Sequence, residues 1–381
     1  MVENAARPPR LLHLHGSFSL GGKEARAVRL MNLWRDRAHH TILSAAPDAM
    51  GARDAIAPDV PVDFPADAPS LAGAPGLRRY RELARYMAGF DLILSYNWGS
   101  MDGVMAHRLF GGGGRLQPLI HHEDGFNADE ADGLKTSRNL FRRAALRRAH
   151  ALVVPSVMLE RIARQVWGQP ERRVRLIRNG IDVARYAQPP APDAIPTLRR
   201  SPGKLLVGTL AGLRPVKNLP RLVRAVAPHR DRLQLVIVGE GPERQSIAQE
   251  AAACGLDDIC LAGFLAEPWR FVGLFDIFAL SSDSEQFPIS LVEAMAAGVP
   301  AVSTDVGDVA DMVAIENRPF IAADEQGLSD ALGRLAADAD LRGRLGEANA
   351  RRAARDFDEA LMVDAYARLY GGALARPEIF R

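Results

Sequence analysis

SEQFPISLVEAMAAGVP, at residues 284–300, places two glutamates across the start of a predicted helix. The run LVEAMAA is rich in strong helix formers, and Pro288 is tolerated just before or inside the first turn, where its missing N–H would have no helical partner. We therefore predict a helix that begins near Ile289 and is closed by Gly298. Its free N–H groups and positive dipole end would face the loop that carries Glu285.

This helix start is suited to a diphosphate, because free N–H groups and the helix dipole both favour an anion. Glu293, about one turn into the helix, can accept hydrogen bonds from ribose hydroxyls, while Glu285 can reach a sugar on the same diphosphate. The alternative is that Glu285 caps the helix and Glu293 is a solvated helix residue. The pattern thus leaves a choice between a sugar-nucleotide site and an ordinary helix start.

Length and composition agree with a large soluble enzyme. The 381 residues, 48% of them apolar, are enough for two domains of ordinary size. The first ten residues, MVENAARPPR, lack the apolar centre of a signal peptide, and no run approaches the roughly 20 apolar residues of a membrane span. We therefore expect a cytoplasmic protein. Cys254 and Cys260 are too few for a disulfide framework and are interpreted as packing or surface residues.

Short apolar runs alternate with helix-like segments, as expected for parallel sheets covered by helices. Two series of predicted strands are separated by a proline-rich segment at residues 188–203, which we interpret as a linker. The first series is at 10–15, 41–45, 91–95, 118–122, 151–156 and 174–177, and the second at 204–210, 233–239, 258–263, 276–282, 300–304 and 319–323. The chain is therefore predicted to form two doubly wound α/β domains.

Charge is unevenly divided along the chain. Residues 1–200 hold 29 Lys and Arg against 20 Asp and Glu, a net charge of +9, and the remainder carries −7. This asymmetry favours an anionic partner for the first half, such as a lipid diphosphate or a membrane surface, although an arginine-rich composition alone would also produce it. Nucleic acid is not expected, because no basic motif is interleaved with aromatic residues.

The segment from Leu134, LKTSRNLFRRAALRRA, is predicted to be a basic helix. Lys135, Arg138 and Arg142 have i, i+3, i+7 spacing, and neighbouring apolar side chains come from Leu140, Phe141 and Ala144. One hypothesis is that this face makes a peripheral contact with an anionic membrane, close to a lipid-linked acceptor. An ordinary surface helix is the alternative.

Other glycine motifs fit known phosphate loops poorly. GEGPER follows a strand, but Arg244 takes the place of the third glycine of a dinucleotide fingerprint. The spacing from Gly16 to Lys23 is too long for a P-loop, and Glu24 stands where Ser or Thr should bind magnesium. Gly21 and Gly22 remain in a strand-to-helix loop, where backbone N–H groups can approach an anion or simply form a turn.

These segments, in this order, resemble the retaining glycosyltransferases of family four, whose fold is called GT-B. Gly21, Gly22 and Glu24 are similar to the family's Gly-Gly-x-Glu, and LIRNGID at 176–182 is similar to its Asn-Gly-Ile/Val-Asp segment. The donor-domain pattern is matched by VGEGPER at 238–244, LFDIFALSSDSEQFP at 274–288 and EAMAAGVP at 293–300. FDEALMVDAYARLY at 357–370 resembles the family's terminal helix, which crosses back onto the first domain.

The resemblance implies two Rossmann-like domains that face a central cleft. We expect an acceptor-binding domain at 1–187, the linker at 188–203, a donor-binding domain at 204–356, and a C-terminal helix at 357–381 that returns to the first domain.

The resemblance also assigns roles to residues. It implies that Glu285 contacts the donor sugar and Glu293 the ribose. The other expected donor-binding residues are Gly21, Gly22, Gly239, Phe264, Phe287, Pro288, Ile289, Ser290 and Leu291. Gln286 is a departure, because many members have glycine there, and the backbone beside the donor is therefore expected to be held differently.

AGLRPVKN, at residues 211–218, follows the first strand of the second series. Lys217 and Arg214 could neutralise the diphosphate as it becomes a leaving group. The family usually carries its arginine at the position of Gly212, so the assignment of Arg214 is the weaker of the two. The alternative for both is a solvated basic residue.

HHEDGF, at residues 121–126, gathers two imidazoles and two carboxylates after a strand. It could be an acid–base or metal cluster, but adjacent histidines on a strand project to opposite sides. The resemblance favours His122 as a contact to the donor sugar, with structural loop histidines as the alternative. Asp124 is expected to orient that histidine or the acceptor hydroxyl, and Asn97 is a second acceptor-side candidate.

The sequence and the resemblance together predict transfer of a sugar from a UDP- or GDP-sugar to an alcohol, with retention and without a metal ion or other cofactor. Retention follows from the resemblance. Asp338 and Asp340 have Asp-x-Asp spacing but lie in a predicted surface helix and turn. The expected setting is polysaccharide or glycolipid biosynthesis. An epimerase, a phosphorylase and a non-catalytic sugar-nucleotide-binding subunit remain as alternatives.

Overall fold

Apolar runs in the first part of the chain form parallel strands, and the segments between them form helices. The computed structural model describes residues 7–111, 117–126, 130 and 133–381. The described residues up to Arg178, together with Val363–Arg381, form one unit, and Asn179–Met362 form a second.

The strands of the first unit are β1 (Arg10–His15), β2 (His39–Ser44), β3 (Val62–Asp63), β4 (Leu92–Tyr96), β5 (Leu119–His122), β6 (Ala151–Val154) and β7 (Val174–Leu176). Its helices are α1 (Gly22–Trp34), α2 (Leu77–Met87), α3 (Met101–Phe110), α4 (Thr136–Ala145) and α5 (Val157–Gln165).

These strands form one parallel sheet in the order β3-β2-β1-β4-β5-β6-β7. Successive side chains of β1 point to opposite faces of the sheet. Leu12 and Leu14 belong to an apolar cluster with Leu83 and Val104 from α2 and α3. The buried His15 lies on the other face, which the chain's last helix helps to cover.

The strands of the second unit are β8 (Leu205–Leu210), β9 (Leu233–Val238), β10 (Cys260–Gly263), β11 (Ile277–Leu280), β12 (Ala301–Thr304) and β13 (Ile321–Ala322). Its helices are α6 (Val183–Tyr186), α7 (Leu219–Val226), α8 (Arg244–Ala253), α9 (Ile289–Ala296), α10 (Val309–Met312), α11 (Glu325–Ala337) and α12 (Ala339–Asp356). Helix α13 (Glu359–Ala373) begins in this unit and ends in the first.

The second sheet is also parallel, in the order β10-β9-β8-β11-β12-β13, and an apolar cluster covers each of its faces. Strand β11 contributes to both clusters. Phe278 and Leu280 pack in the cluster that contains α9, whereas Ile277 and Ala279 pack in the cluster that contains α7 and α11. The continuous apolar composition of this strand is thus explained by burial on both sides.

The two units divide the chain at other residues than the predicted domains do. The first unit ends at Arg178 rather than at residue 187, and the second extends to Met362 rather than to 356. The segment 188–203 is part of the second unit, because Ile195 is 2% exposed and packs in the same cluster as Phe271. Its prolines thus belong to a segment that covers a core.

Each strand predicted from an apolar run is present, with ends that shift by at most about two residues. Strand β3 was not predicted, since it has two residues and no apolar run. None of the helices among the described residues has both the length and the apolar composition to cross a bilayer.

Candidate functional site

The order of the second sheet reverses between β8 and β11. Strand β8 leads through β9 to β10 on one side, while β11 leads through β12 to β13 on the other. The loops that follow these two neighbouring strands, residues 211–218 and 281–288, therefore leave the same edge of the sheet side by side. Open parallel sheets bind ligands outside the carboxyl ends of their strands at such a reversal.

Lys217 and Glu285 meet where these two loops adjoin. Lys217 Nζ lies 2.5 Å from Glu285 Oε1, and the two side chains are 18% and 11% exposed. Ser282 donates a hydrogen bond of 2.7 Å to the same carboxylate oxygen. The cation and the carboxylate that were predicted to serve the donor are therefore in direct contact.

Hydrogen bonds fix the two loops to each other. The backbone N–H of Asp283 donates to the Val216 carbonyl at 2.9 Å, and the Ser281 hydroxyl donates to the Lys217 carbonyl at 3.0 Å. From the end of β12, the Thr304 hydroxyl donates to the Ser282 carbonyl at 2.7 Å. The Lys217–Glu285 pair thus rests on a backbone that is held from three strands.

The loop after β12 also supports Glu285. Gly307 has a φ of +57°, and a Cβ atom there would stand 2.3 Å from the Glu285 carbonyl oxygen. A side chain would conflict with both the left-handed backbone and this close approach. The position of the Glu285 backbone therefore depends on glycine at residue 307.

Gly239 lies against backbone of the loop after β8. Its φ is +143°, and a Cβ atom there would stand 1.9 Å from the Ala211 carbonyl oxygen. The Leu213 N–H donates to the Glu240 carbonyl at 2.9 Å. Gly239 thus lets the loop after β9 support the loop that carries Lys217. A direct contact between Gly239 and the donor stays a prediction.

Arg214 and Phe264 are exposed near this edge of the sheet. Arg214 folds back over Gly212, with its Nε atom 3.6 Å from the place that a Cβ of residue 212 would occupy. Its guanidinium therefore lies beside the position at which the resembling family carries its arginine. Phe264, just after β10, is 71% exposed. Both side chains are accessible to a ligand.

Helix α9 begins at Ile289, directly after Pro288, as predicted. Phe287 and Leu291 are 8% and 0% exposed and pack in the apolar core. Ile289 and Ser290 are half-buried in the first turn. The buried side chains of Phe287 and Leu291 hold the helix in place, which leaves only their main-chain atoms for any contact with a donor.

Glu293, one turn into α9, accepts a hydrogen bond from the hydroxyl of Tyr186 at 2.9 Å. Burial raises the pKa of Glu293 to about 7, and the bond from Tyr186 opposes that shift. Its charge therefore changes near neutral pH. Sequence reasoning missed Tyr186, because a lone tyrosine 107 positions away from its partner carries no pattern.

In the first unit, Gly21 directly precedes α1 and Gly22 is its first residue. Both are exposed. Glu24, in the first turn, pairs with Lys23, and its Oε2 lies 3.0 Å from the place that a Cβ of Gly21 would occupy. A carboxylate of the protein itself thus lies beside this helix start. Contact between the two glycines and an anion stays a prediction.

His122 has protein partners at both ring nitrogens. Its Nδ1 donates to the Ser95 carbonyl at 3.1 Å, so its Nε2 accepts the bond of 2.8 Å from the Tyr370 hydroxyl. Burial lowers the pKa of His122 to about 3. His122 is therefore a neutral imidazole, and contact between its Nε2 and a sugar would require displacement of the Tyr370 hydroxyl.

Asp124 forms a two-point ion pair with Arg26 of α1, in which Arg26 Nη2 lies 2.8 Å from Asp124 Oδ2. Burial alone would raise the pKa of Asp124, but Arg26 outweighs it and holds that pKa below its usual value. Asn97 Oδ1 accepts a hydrogen bond of 2.8 Å from the Asp124 backbone N–H. The two acceptor-side candidates are thus in contact, and their roles stay predictions.

The predicted basic helix is present as α4, but Arg142 does not face solvent. It is 0% exposed, with Nε 3.2 Å from Glu123 Oε2 and Nη2 3.2 Å from Glu130 Oε2. The predicted membrane face is therefore wrong at Arg142, because two buried carboxylates hold the guanidinium inside. The exposed side of this region instead carries Leu140 and Arg143.

Within the ranges that the structure describes, no three His, Cys, Asp or Glu side chains are grouped so that they could hold a metal ion. Asp338 caps α12 by accepting a hydrogen bond of 2.8 Å from the Leu341 backbone N–H. Asp340 lies in the first turn of the same helix. The interpretation of this pair as part of a surface helix and turn is confirmed.

Two protein families match the chain in the order of its two units. Residues 6–185 match the family described as Glycosyltransferase Family 4, and residues 193–352 match the family described as Glycosyl transferases group 1. Together these matches include most of the chain.

Curated relatives agree with this assignment. The chain is 27% identical over 291 residues to a D-inositol 3-phosphate glycosyltransferase of Nocardia farcinica. The aligned region covers 70% of this chain and 63% of the relative. It is 38% identical over 149 residues to a GDP-mannose-dependent alpha-mannosyltransferase of Mycolicibacterium smegmatis. Here the aligned region covers 37% of this chain and 36% of the relative. The chain thus spans about a third to two thirds of the length of the curated relatives it matches.

Among solved structures, HepE of Anabaena in complex with UDP-glucose is similar with a TM-score of 0.76 at 20% identity, over 96% of this chain and 100% of that one. This likeness concerns the fold alone and agrees with two Rossmann-like units, each built on a sheet of parallel strands. With both family matches in chain order, the chain belongs to the family-four glycosyltransferases with the GT-B fold.

Proposed function

We propose that this protein transfers a sugar from a nucleoside-diphosphate sugar to an alcohol, with retention of anomeric configuration and without a metal ion. The observation that carries the proposal is the contact between Lys217 and Glu285 beside the start of α9. A cation and a carboxylate at one sheet edge can serve the phosphate end and the sugar end of a single donor.

Charge development in the reaction explains the cationic side of the site. As the glycosidic bond breaks, negative charge grows on the departing diphosphate, and positioned positive groups lower the barrier. Lys217 and Arg214 would supply that charge, with the first N–H groups of α9 as further donors. Arg214 is proposed to replace the usual family arginine, because its guanidinium folds over Gly212.

The carboxylates have separate proposed roles. Glu285 would accept hydrogen bonds from hydroxyls of the donor sugar, and Glu293 from hydroxyls of the ribose. Retention is proposed from membership of the family, since no side chain here is assigned as a covalent nucleophile.

The donor is proposed to be a UDP- or GDP-sugar. HepE has been crystallised with UDP-glucose, and the mycobacterial relative is named for its dependence on GDP-mannose. Both donors therefore belong in the first assay.

The acceptor is proposed to be a hydroxyl of a glycolipid or of a lipid-linked polysaccharide precursor. The net charge of +9 over residues 1–200 would favour an anionic surface. The exposed residues Leu140, Arg143 and Arg147 replace the face first expected around Arg142. Contact through this face would place the enzyme at the inner surface of a membrane.

Donor binding is tested first by thermal shift with UDP, GDP, UDP-glucose and GDP-mannose. At 100 times its dissociation constant, a ligand stabilises the folded state by about 2.7 kcal/mol. Transfer is then measured with a glycolipid extract as acceptor, in the presence and absence of EDTA, and NMR of the product gives its anomeric configuration.

Each alternative gives a distinct result. An epimerase would change the sugar nucleotide without an acceptor, a phosphorylase would require inorganic phosphate, and a binding subunit would bind without turnover. An inverted product, or activity that EDTA abolishes and magnesium restores, would contradict the finer parts of the proposal.

A further inference from the structure

We propose that Tyr186 is a positioning residue for donor binding, whose hydroxyl fixes the carboxylate of Glu293 in the orientation that accepts the ribose. The Tyr186 hydroxyl donates to Glu293 Oε1 at 2.9 Å. The inference rests on the proposed function, because it takes Glu293 as the ribose contact.

Backbone hydrogen bonds and apolar packing hold Tyr186 in place. The segment just before α6 is held by two backbone hydrogen bonds, from Ile181 N–H to the Phe357 carbonyl at 3.0 Å and from Glu359 N–H to the Ile181 carbonyl at 2.9 Å. Tyr186 is 6% exposed and packs in the same apolar cluster as Met295 of α9. Its ring is therefore confined, and its hydroxyl meets Glu293 at a fixed place.

This bond gives the two oxygens of the Glu293 carboxylate different partners. Oε1 receives the tyrosine hydroxyl, which leaves Oε2 to accept from ribose hydroxyls. A glutamate side chain that binds from a free state loses rotamer entropy, up to about 2 kcal/mol when it becomes fully ordered. Tyr186 restricts those rotamers in advance, so ligand binding bears less of that loss.

The same contact also affects the pH at which Glu293 becomes charged. Burial raises the pKa of Glu293 to about 7, and among the described residues Tyr186 is the group that opposes this shift. Asp182 and Arg185 act on Tyr186 itself, with smaller effects than its burial and its bond to Glu293. A protonated carboxyl is a poorer acceptor, so donor affinity falls as the pH drops through the pKa of Glu293.

The test is Tyr186→Phe, which keeps the ring and removes the hydroxyl. We expect KM for the donor to rise about tenfold, since hydrogen bonds to charged groups contribute more than neutral ones. The kcat at saturating donor should change by less than about twofold, because chemistry at the sugar is remote from the ribose. The midpoint of the KM profile should move to higher pH. Ala184→Ser, an exposed change on the same helix, is the matched control.

A double-mutant cycle separates positioning from a general packing defect. In a Glu293→Ala background, Tyr186→Phe should leave donor KM unchanged, because the group through which it acts is gone. A further rise of similar size in that background would overturn the inference. So would an unchanged KM and pH midpoint in the single variant.

A measurement without donor keeps the inference testable if neither UDP-glucose nor GDP-mannose binds. Carbon-13 NMR of glutamate carboxyls follows the titration of Glu293 directly, and Tyr186→Phe should raise its pKa. An unchanged titration would overturn the role of Tyr186. Unaltered donor affinity in Glu293→Ala would instead contradict the proposed ribose contact, and with it the proposed function of this carboxylate.

Discussion

Lys217 Nζ lies 2.5 Å from Glu285 Oε1, so the two groups with the most demanding proposed roles neutralise each other within the protein. A donor would offer each a second partner, phosphate for the ammonium and sugar hydroxyls for the carboxylate. Since Ser282 also bonds Glu285, the carboxylate keeps a hydrogen-bond donor when the lysine turns to the phosphate. The ion pair thus orients both side chains before the donor arrives.

We predict that Lys217→Met lowers kcat by about 100-fold or more, because loss of one group that stabilises developing charge costs this much in other enzymes. Steady-state kinetics with saturating donor measure the effect. Lys204→Met removes a lysine that pairs with Asp258 just before β8, away from these loops, and serves as the control. Similar kcat values for the two variants would place the diphosphate elsewhere.

The two glutamates should separate kinetically. Glu285→Gln is expected to lower kcat about 100-fold with little change in donor KM, since it touches the reacting sugar. Glu293→Gln should raise donor KM about tenfold at pH 8 and have a smaller effect at pH 6, where wild-type Glu293 is already largely protonated. The reverse assignment of kcat and KM effects would exchange the roles of the two residues.

Gly307→Ala should lower both stability and turnover. A Cβ atom at residue 307 would lie 2.3 Å from the Glu285 carbonyl oxygen, so the loop must move. The left-handed backbone alone costs about 1–2 kcal/mol for a residue other than glycine. Chemical denaturation gives the change in the free energy of unfolding. Gly343→Ala, on a helix with open space around it, is the control and should be neutral or stabilising. A stable Gly307 variant with normal kcat would contradict the proposed support.

Sequence alone predicted the strands other than β3 and the start of α9, because apolar runs and Pro288 are local signals. It did not predict that Lys217 and Glu285 touch, since that contact depends on β8 and β11 being neighbours in the sheet. The contact between Ser282 and Glu285 was easier to predict, because a serine three residues before a glutamate can donate a hydrogen bond to its carboxylate within one loop. Helical periodicity failed for Arg142, whose position is set by carboxylates outside the helix.

Arg142→Ala should destabilise the first unit rather than reduce membrane binding. Removing one partner of a buried charge network leaves unpaired charges inside the protein, at a cost of about 3–5 kcal/mol. Thermal unfolding should show a lower midpoint. The exposed pair Arg143→Gln and Arg147→Gln should leave that midpoint nearly unchanged and weaken sedimentation with anionic liposomes at low salt. Equal binding of the double variant and the wild type would refute the membrane contact through this face.

Stability of the first unit should fall with acid below about pH 6.5. Burial lowers the pKa values of His40 and His122 to about 3, against 6.5 for an ordinary histidine. The unfolded chain therefore binds more protons as the pH falls, and the stabilisation present above 6.5 is lost toward pH 3. Urea midpoints measured between about pH 7.5 and about pH 5 test this. His40→Gln should flatten the profile, because it removes one of these two buried imidazoles.

The last residues of the chain, Val363–Arg381, belong to the first unit. Tyr370 bonds His122 on β5, Phe380 packs against Trp34 of α1, and the Arg376 guanidinium donates to the Arg7 carbonyl. The ribosome therefore synthesises the whole second unit before it synthesises the last segment of the first unit. During synthesis, the histidine-bearing face of the first sheet therefore lacks part of its cover while the second unit is made, and loss of the final helix would harm the part of the protein made earliest.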